Sequence, residues 1–231
     1  MQEKLYSNPD SSFTNSDDGL SIMALAASRK IAGFLNTSGH DRVFASKLVD
    51  LDRPYKAISE AFIATLSDDE QQAAHAYTRS TFKLMNFWLR MKNMNVEDFP
   101  QPYKRWAKTL DGILKKYSVD GPKTLYRGIY DSAFLDGLKA GDIFNDKGYM
   151  STSGNPAITD IFTDSEHPVI MEIKTSKGIP ISNRPIEEEY LLARNSSFIV
   201  NGVYDKVKFI FDKCDTGSFS GIKLIELEEL R

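Results

Sequence analysis

The chain has 231 residues, 41% hydrophobic and 26% charged, with a formal net charge of −3. That length buries a core in one globular domain, and the near balance of scattered acids and bases speaks against a general nucleic-acid or membrane-surface binder. The single cysteine, Cys214, excludes an internal disulfide framework, and its opposed neighbours Lys213 and Asp215 give it no clear activation as a nucleophile.

Residues 1–18 are rich in Ser, Asn and Asp and read as a flexible polar leader. No run approaches the roughly 20 apolar residues of a membrane span. The most apolar early stretch, 22–27, follows Asp17 and Asp18 rather than the basic lead of a signal peptide. The chain therefore carries no cleavable signal or is already mature. Helical patterns follow to about residue 118: an Ala-rich amphipathic segment over 20–35, short helices over 43–51 and 55–66, and a long helix from 68 to about 92. Pro54 suits a first-turn position. Ser67-Asp68-Asp69-Glu70 is a capping box with carboxylates at the positive end of the helix dipole. Tyr77, Thr81, Leu84, Met85 and Trp88 form the inner stripe of that helix. A further helix spans 102–117, with Trp106, Leu110, Ile113 and Leu114 inward.

Beyond residue 120 short β-rich runs appear at 124–130, 149–153, 169–174, 189–194, 198–203, 207–212 and 222–227, separated by turn residues. Short links between strands imply antiparallel or mixed sheets, and the whole is an α+β layout.

Three polar clusters lie in this half. Leu125, Arg127 and Ile129 share one strand face, and an arginine between apolar neighbours suits a phosphate or carboxylate clamp, or else a structural ion pair. Gly128 lets something approach the backbone closely. Ser151-Thr152-Ser153 places three hydroxyls at a strand end, to hold a ligand or a carboxylate, or simply to end a strand. Glu187-Glu188-Glu189 leads into an apolar strand; alternation puts Glu187 and Glu189 on one face, where like charges raise a pKa. It is also an ordinary acidic run at a sheet edge.

In this order the clusters resemble the signature of the R-S-E class of mono-ADP-ribosyltransferases. Asp146-Lys147-Gly148-Tyr149-Met150-Ser151-Thr152-Ser153 resembles the family stretch D-K-G-F-M-S-T-S. Val169-Ile170-Met171-Glu172-Ile173 is similar to the core strand that follows. Glu187-x-Glu189-Tyr190-Leu191-Leu192-Ala193-Arg194 resembles E-x-E-V-L-L-P-R. In the helical half, Tyr77-Thr78 with Asn86-x-x-Leu89-Arg90 is similar to a motif of the iota-toxin and insecticidal-toxin branch. The resemblance covers roughly residues 68–212.

The resemblance implies an α+β fold of N-terminal helices followed by two packed mixed or antiparallel sheets around an NAD cleft. It implies one transferase domain over 19–231, helical to 118 and β-rich and catalytic from 119. By the same resemblance Arg127 binds the NAD phosphates, with Gly128 near the nicotinamide. Ser151 orients Glu189, Glu189 contacts the nicotinamide ribose, and Glu187 positions or deprotonates the acceptor. Tyr77, Phe82, Asn86 and Arg90 line the nucleotide site, Thr152 and Ser153 contribute to it, and Phe162 lies near the nicotinamide. A fixed carboxylate fits the chemistry, because departure of nicotinamide develops positive charge on the ribose. His40, His75 and His167 form no metal-ligand pattern, and no metal is needed.

Two departures stand out. Ala193 replaces the usual proline, and the loop 181–186 lacks the aromatic residue that some relatives use for target recognition. Glutamate at both 187 and 189 resembles arginine-directed members. The implied activity is NAD cleavage with transfer of ADP-ribose to a protein arginine, with NAD hydrolysis as a side reaction. Alternatives are a Ser or Thr hydroxyl acceptor, as on ubiquitin, and an inactive NAD- or protein-binding module. The expected setting is a monomeric bacterial toxin or effector, secreted and acting on a host protein in the host cytosol, without nucleic-acid or membrane partners.

Overall fold

A computed structural model of the chain describes residues 31–37, 41–46, 54–117, 123–130, 132–154, 159, 162–163, 167–181, 187–210 and 218–230. The polar leader 1–18, residues 20–30 of the helix expected over 20–35, residues 47–51 of the helix expected over 43–51, Cys214 and the loop residues 182–186 lie outside the described residues.

Helix α1 runs Pro54–Ala64, opening on its proline, and α2 runs Asp68–Ala76. The capping box before α2 is formed: the Ser67 backbone N–H donates to Glu70 Oε2 at 2.9 Å and the Glu70 N–H donates to Ser67 Oγ at 3.4 Å. Accepting that backbone N–H lowers the Glu70 pKa from its usual carboxylate range. The expected long helix is interrupted. A π-helical turn, Tyr77–Thr81, separates α2 from α3, Phe82–Arg90, and Thr81 Oγ1 donates to the Ala76 carbonyl at 3.0 Å, five residues back. A π turn inserts one residue, which rotates everything after it by about 100°. Met85 and Leu89 therefore join Tyr77 and Thr81 in the core, while the expected Leu84 is turned out to 38% exposure. Helix α4, Tyr103–Lys116, buries Ala107, Leu110 and Ile113, with Trp106 and Leu114 packed alongside.

Among the described residues ten strands form one hydrogen-bonded sheet of mixed direction. These are β1 Ile31–Thr37, β2 Asp41–Ser46, β3 Lys123–Ile129, β4 Ile143–Asp146, β5 Met150–Ser153, β6 Val169–Thr175, β7 Ile179–Pro180, β8 Glu189–Leu192, β9 Ser196–Ile210 and β10 Ser218–Glu229. The order is β1-β2-β9-β10-β6-β3-β5-β8-β7, with β4 on β9. The β2–β9 and β6–β10 pairs are parallel and the others antiparallel. Two helical expectations are corrected here. Residues 31–35 and 43–46 lie in an antiparallel pair, β1–β2, whose inner strand, β2, is fixed by parallel pairing of Val43–Ala45 with Lys208–Ile210. The two runs 198–203 and 207–212 are a single strand through residue 210, because β10 pairs along almost its whole length.

The sheet is weakest between β3 and β5. Strand β3 meets β5 through one register pair, Tyr126 with Ser153, whereas it pairs with β6 over seven residues. Each side of this seam has its own core. Tyr149 and Leu191 pack with the helices, while Met150 and Leu192 pack with the larger half of the sheet. Successive strand residues point to opposite faces, so β5 and β8 are buried on both sides. That explains why the sequence is apolar without alternation there. No helix among the described residues is long and apolar enough to cross a membrane.

Candidate active site

Strand parity brings the polar clusters together. Ser151 is the register partner of Leu191, and Ser153 of Glu189. Directly paired residues share a face, so Ser151 and Glu189 lie on the side that carries Tyr149 and Leu191, toward the helices. There both act on the Tyr77 phenol, the Ser151 hydroxyl by hydrogen bonding and Glu189 by its charge, as does the charge of Arg127. Burial is the main reason its pKa is pushed up to about 12.

Arg127 reaches the same place where the β3–β5 ladder has ended. Its Nη1 donates to the Ser151 carbonyl at 2.8 Å. Burial and then the like charge of Arg90 push its pKa down, while Asp146, Tyr77 and Glu189 act the other way; a guanidinium stays protonated throughout. Among the described residues no carboxylate bridges Arg127, and that carbonyl contact uses one of its five N–H donors. A half-buried cation with spare planar donors fits a bidentate anion such as a pyrophosphate.

The backbone of Glu189 is clamped. Its carbonyl accepts from the Tyr55 hydroxyl of α1 and from the Ile181 N–H at 3.3 Å. The neighbouring hydroxyls act as staples: Thr152 Oγ1 donates to the Tyr190 carbonyl at 2.7 Å, and Ser153 Oγ to the Glu187 carbonyl at 2.6 Å. Ser151 is thus the member of Ser-Thr-Ser that faces Tyr77. The expected alternation through Glu187, Glu188 and Glu189 is corrected. Strand β8 begins at Glu189, and Glu188 has φ of +42°, so the chain turns before the strand. Gly154 accommodates this turn, since a Cβ there would lie 2.9 Å from Glu188 Oε2.

Asn86, Arg90 and Tyr77 are joined in an internal network. Tyr149 N–H donates to Asn86 Oδ1 at 2.8 Å, and Asn86 Nδ2 donates to the Tyr77 oxygen at 3.1 Å. Arg90 grips both oxygens of Asp146, at 2.7 and 2.9 Å, and donates to the Tyr149 carbonyl at 2.8 Å. Gly148 is needed here, because a Cβ would stand 2.7 Å from both Arg90 Nε and Asn86 Oδ1. Phe82 packs beside Tyr77. Gly128 also permits a close approach, by the chain itself: a Cβ would lie 2.3 Å from the Thr159 carbonyl and 3.1 Å from Phe162 Cβ. Phe162, 49% exposed, is thereby placed against β3 next to Arg127.

Sequence reading missed several partners. Asp146 appeared only as part of a motif. Asp111 ties the Tyr149 hydroxyl, at 2.7 Å, to Arg194, whose Nε and Nη2 lie 2.9–3.1 Å from its oxygens. Its one signal was an acid adjoining the inward stripe of α4. Tyr55 carried none. Among the described residues no group of three or more His, Cys, Asp or Glu is placed to hold a metal.

Residues 53–218 match the family described as ADP-ribosyltransferase exoenzyme. The chain belongs to that family, whose members use NAD as the ADP-ribose donor. No curated protein sequence is significantly similar. Among solved structures, the Clostridium limosum C3 exoenzyme has a TM-score of 0.60 at 19% identity, over 79% of this chain and 95% of that one. Plx2a, an ADP-ribosyltransferase toxin from Paenibacillus larvae, has 0.59 at 21%, over 76% and 92%. Vis toxin, an ADP-ribosyltransferase from Vibrio splendidus, has 0.56 at 20%, over 77% and 82%. At these identities the likeness is one of fold.

Proposed function

We propose that this protein cleaves NAD and transfers the ADP-ribose to an arginine side chain of a target protein, with NAD hydrolysis as a side reaction. The observation that carries the proposal is that Arg127 donates to the Ser151 carbonyl at 2.8 Å while the Arg127 charge, the Ser151 hydroxyl and the Glu189 charge all act on the buried Tyr77 phenol. Bound NAD supplies an activated bond between ribose and nicotinamide. Arg127 holds the pyrophosphate with donors that the described protein groups leave unused. Phe162 and the backbone of Gly128 flank the nicotinamide end. Ser151 holds the Glu189 carboxylate, which faces the ribose and stabilises positive charge developing there without having to reorganise. Binding energy from the remote phosphates is available to strain the reacting bond. Glu187, two residues before Glu189 and outside the strand, receives the proton of the incoming side chain.

Glutamate at position 187 favours arginine as acceptor, and Vis, of the same fold, has been solved in complex with agmatine. The proposed setting is a bacterial effector secreted to act in the host cytosol, and residues 19–231 are proposed to form its one transferase domain. Purified protein supplied with NAD and agmatine should form ADP-ribosyl-agmatine. Glu187→Ala should lose that transfer at least about tenfold more than NAD hydrolysis. Equal loss of both would refute the division of labour between the two glutamates.

A further inference from the structure

Resting on that reading of the site, we propose that Tyr55 is a positioning residue for NAD cleavage: from helix α1 its hydroxyl fixes the main chain of Glu189, and with it the place from which the carboxylate acts. The strand ladders leave this task undone. Glu189 is the first residue of β8 and follows Glu188, whose φ of +42° takes the chain out of extended geometry. On one side it pairs with Ser153, the last residue of β5. On the other side the last register pair with β7 is Pro180 with Tyr190, and beyond it the Ile181 N–H reaches the Glu189 carbonyl at 3.3 Å, longer than a good amide hydrogen bond. Both ladders therefore end at Glu189, and the ends of elements are where local opening costs least.

Other donors take over where the ladders stop. Four consecutive carbonyls are held: Glu187 by Ser153 Oγ at 2.6 Å, Glu188 by the Gly154 N–H at 3.0 Å, Glu189 by the Tyr55 hydroxyl, and Tyr190 by Thr152 Oγ1 at 2.7 Å. The Ser, Gly and Thr donors belong to β5 and the residue after it, whereas Tyr55 comes from the helical half. It is built to be rigid. Tyr55 is 4% exposed, its ring meets the Tyr190 ring edge-on at 5.4 Å, and it lies in the first turn of α1, which Pro54 opens. One turn further, on the same helix face, Ser59 Oγ donates to the Pro180 carbonyl at 3.3 Å, so α1 lies along β7. Tyr55 acts through the main chain of Glu189, and a reacting group misplaced by about 1 Å can lose about a hundredfold in rate. The Ile181 N–H and the donors on either side remain when the Tyr55 hydroxyl is removed, so the expected loss is smaller than that.

The test is nicotinamide release from NAD, run below the lowest thermal midpoint of the proteins compared. Tyr55→Phe keeps the ring and removes only the donor. It should lower kcat about tenfold with the KM for NAD within about twofold. Ser59→Ala removes a buried hydroxyl from the same helix face without touching Glu189, and should keep kcat within about twofold. Tyr55→Phe added to Glu189→Ala should cost nothing further, because the carboxylate it places is gone. Tyr55→Met fills the same space without a donor. It should reproduce the kcat loss, and it serves if Tyr55→Phe is unfolded. An unchanged kcat in Tyr55→Phe, an equal loss of kcat in Ser59→Ala, or full multiplication of the Tyr55→Phe effect with that of Glu189→Ala overturns the inference. An inactive wild type, or Glu189→Ala with full activity, instead removes the reading of the site on which it rests.

Discussion

Two kinds of arginine occur in this molecule. Along the seam between helices and sheet, Arg90 and Arg194 are each gripped by a carboxylate, Asp146 and Asp111 respectively. At the candidate site, Arg127 has a single carbonyl contact and no carboxylate bridge among the described residues. The seam arginines have their charge and geometry satisfied within the fold and act as fasteners. The candidate-site arginine is half-buried without a carboxylate partner among the described residues, an arrangement that costs stability and that a bound anion would complete. Completeness of hydrogen bonding, more than residue type or position in a motif, separates scaffold from site.

The sharpest way to break this contrast is Arg127→Ala. It should raise the KM for NAD about a hundredfold while leaving the thermal midpoint equal or slightly higher, as measured by steady-state kinetics and calorimetry. A lowered midpoint with unchanged KM would class Arg127 with the fasteners. The converse is Asp146→Ala, which leaves the half-buried Arg90 without its carboxylate partner. It should cost about 3 kcal/mol in urea unfolding. Asp111→Ala sharpens the comparison further out, removing the shared partner of Tyr149 and Arg194, and should cost about 2 kcal/mol by the same measurement. The smallest effect belongs to the cap on α2. Ser67→Ala should cost about 1 kcal/mol. The Glu70 pKa is lowered in the folded state, so the stability it contributes is present above the usual carboxylate range and is lost as pH falls through it. Urea midpoints of wild type and Ser67→Ala should therefore converge as the solution is acidified.

Local chemistry was legible in the sequence wherever one short segment decides the structure. The Ser67–Glu70 box, the opening of α1 at Pro54 and the inward face of α4 are of this kind. What was not legible depends on distant partners. Val43 and Phe44 look helical in isolation, and become a strand by pairing with Lys208 and Phe209. The π turn at Tyr77–Thr81 has no local marker, yet it exchanges Leu84 for Leu89 in the core. The candidate site residues Arg127, Ser151 and Glu189 could be named through their family resemblance. Their supports could not: Asp146 lies 56 residues from Arg90, and Asp111 lies 83 from Arg194. Such pairs exist only once the fold has brought them together.

The central claim is that Glu189, held by Ser151 beside Arg127, performs the cleavage and does not merely fasten β8. Nicotinamide release by wild type and by Glu189→Gln, alongside calorimetric NAD binding for both, tests it most directly. The account predicts binding within a few fold and release reduced by about a thousandfold. Release by Glu189→Gln at the wild-type rate would contradict it.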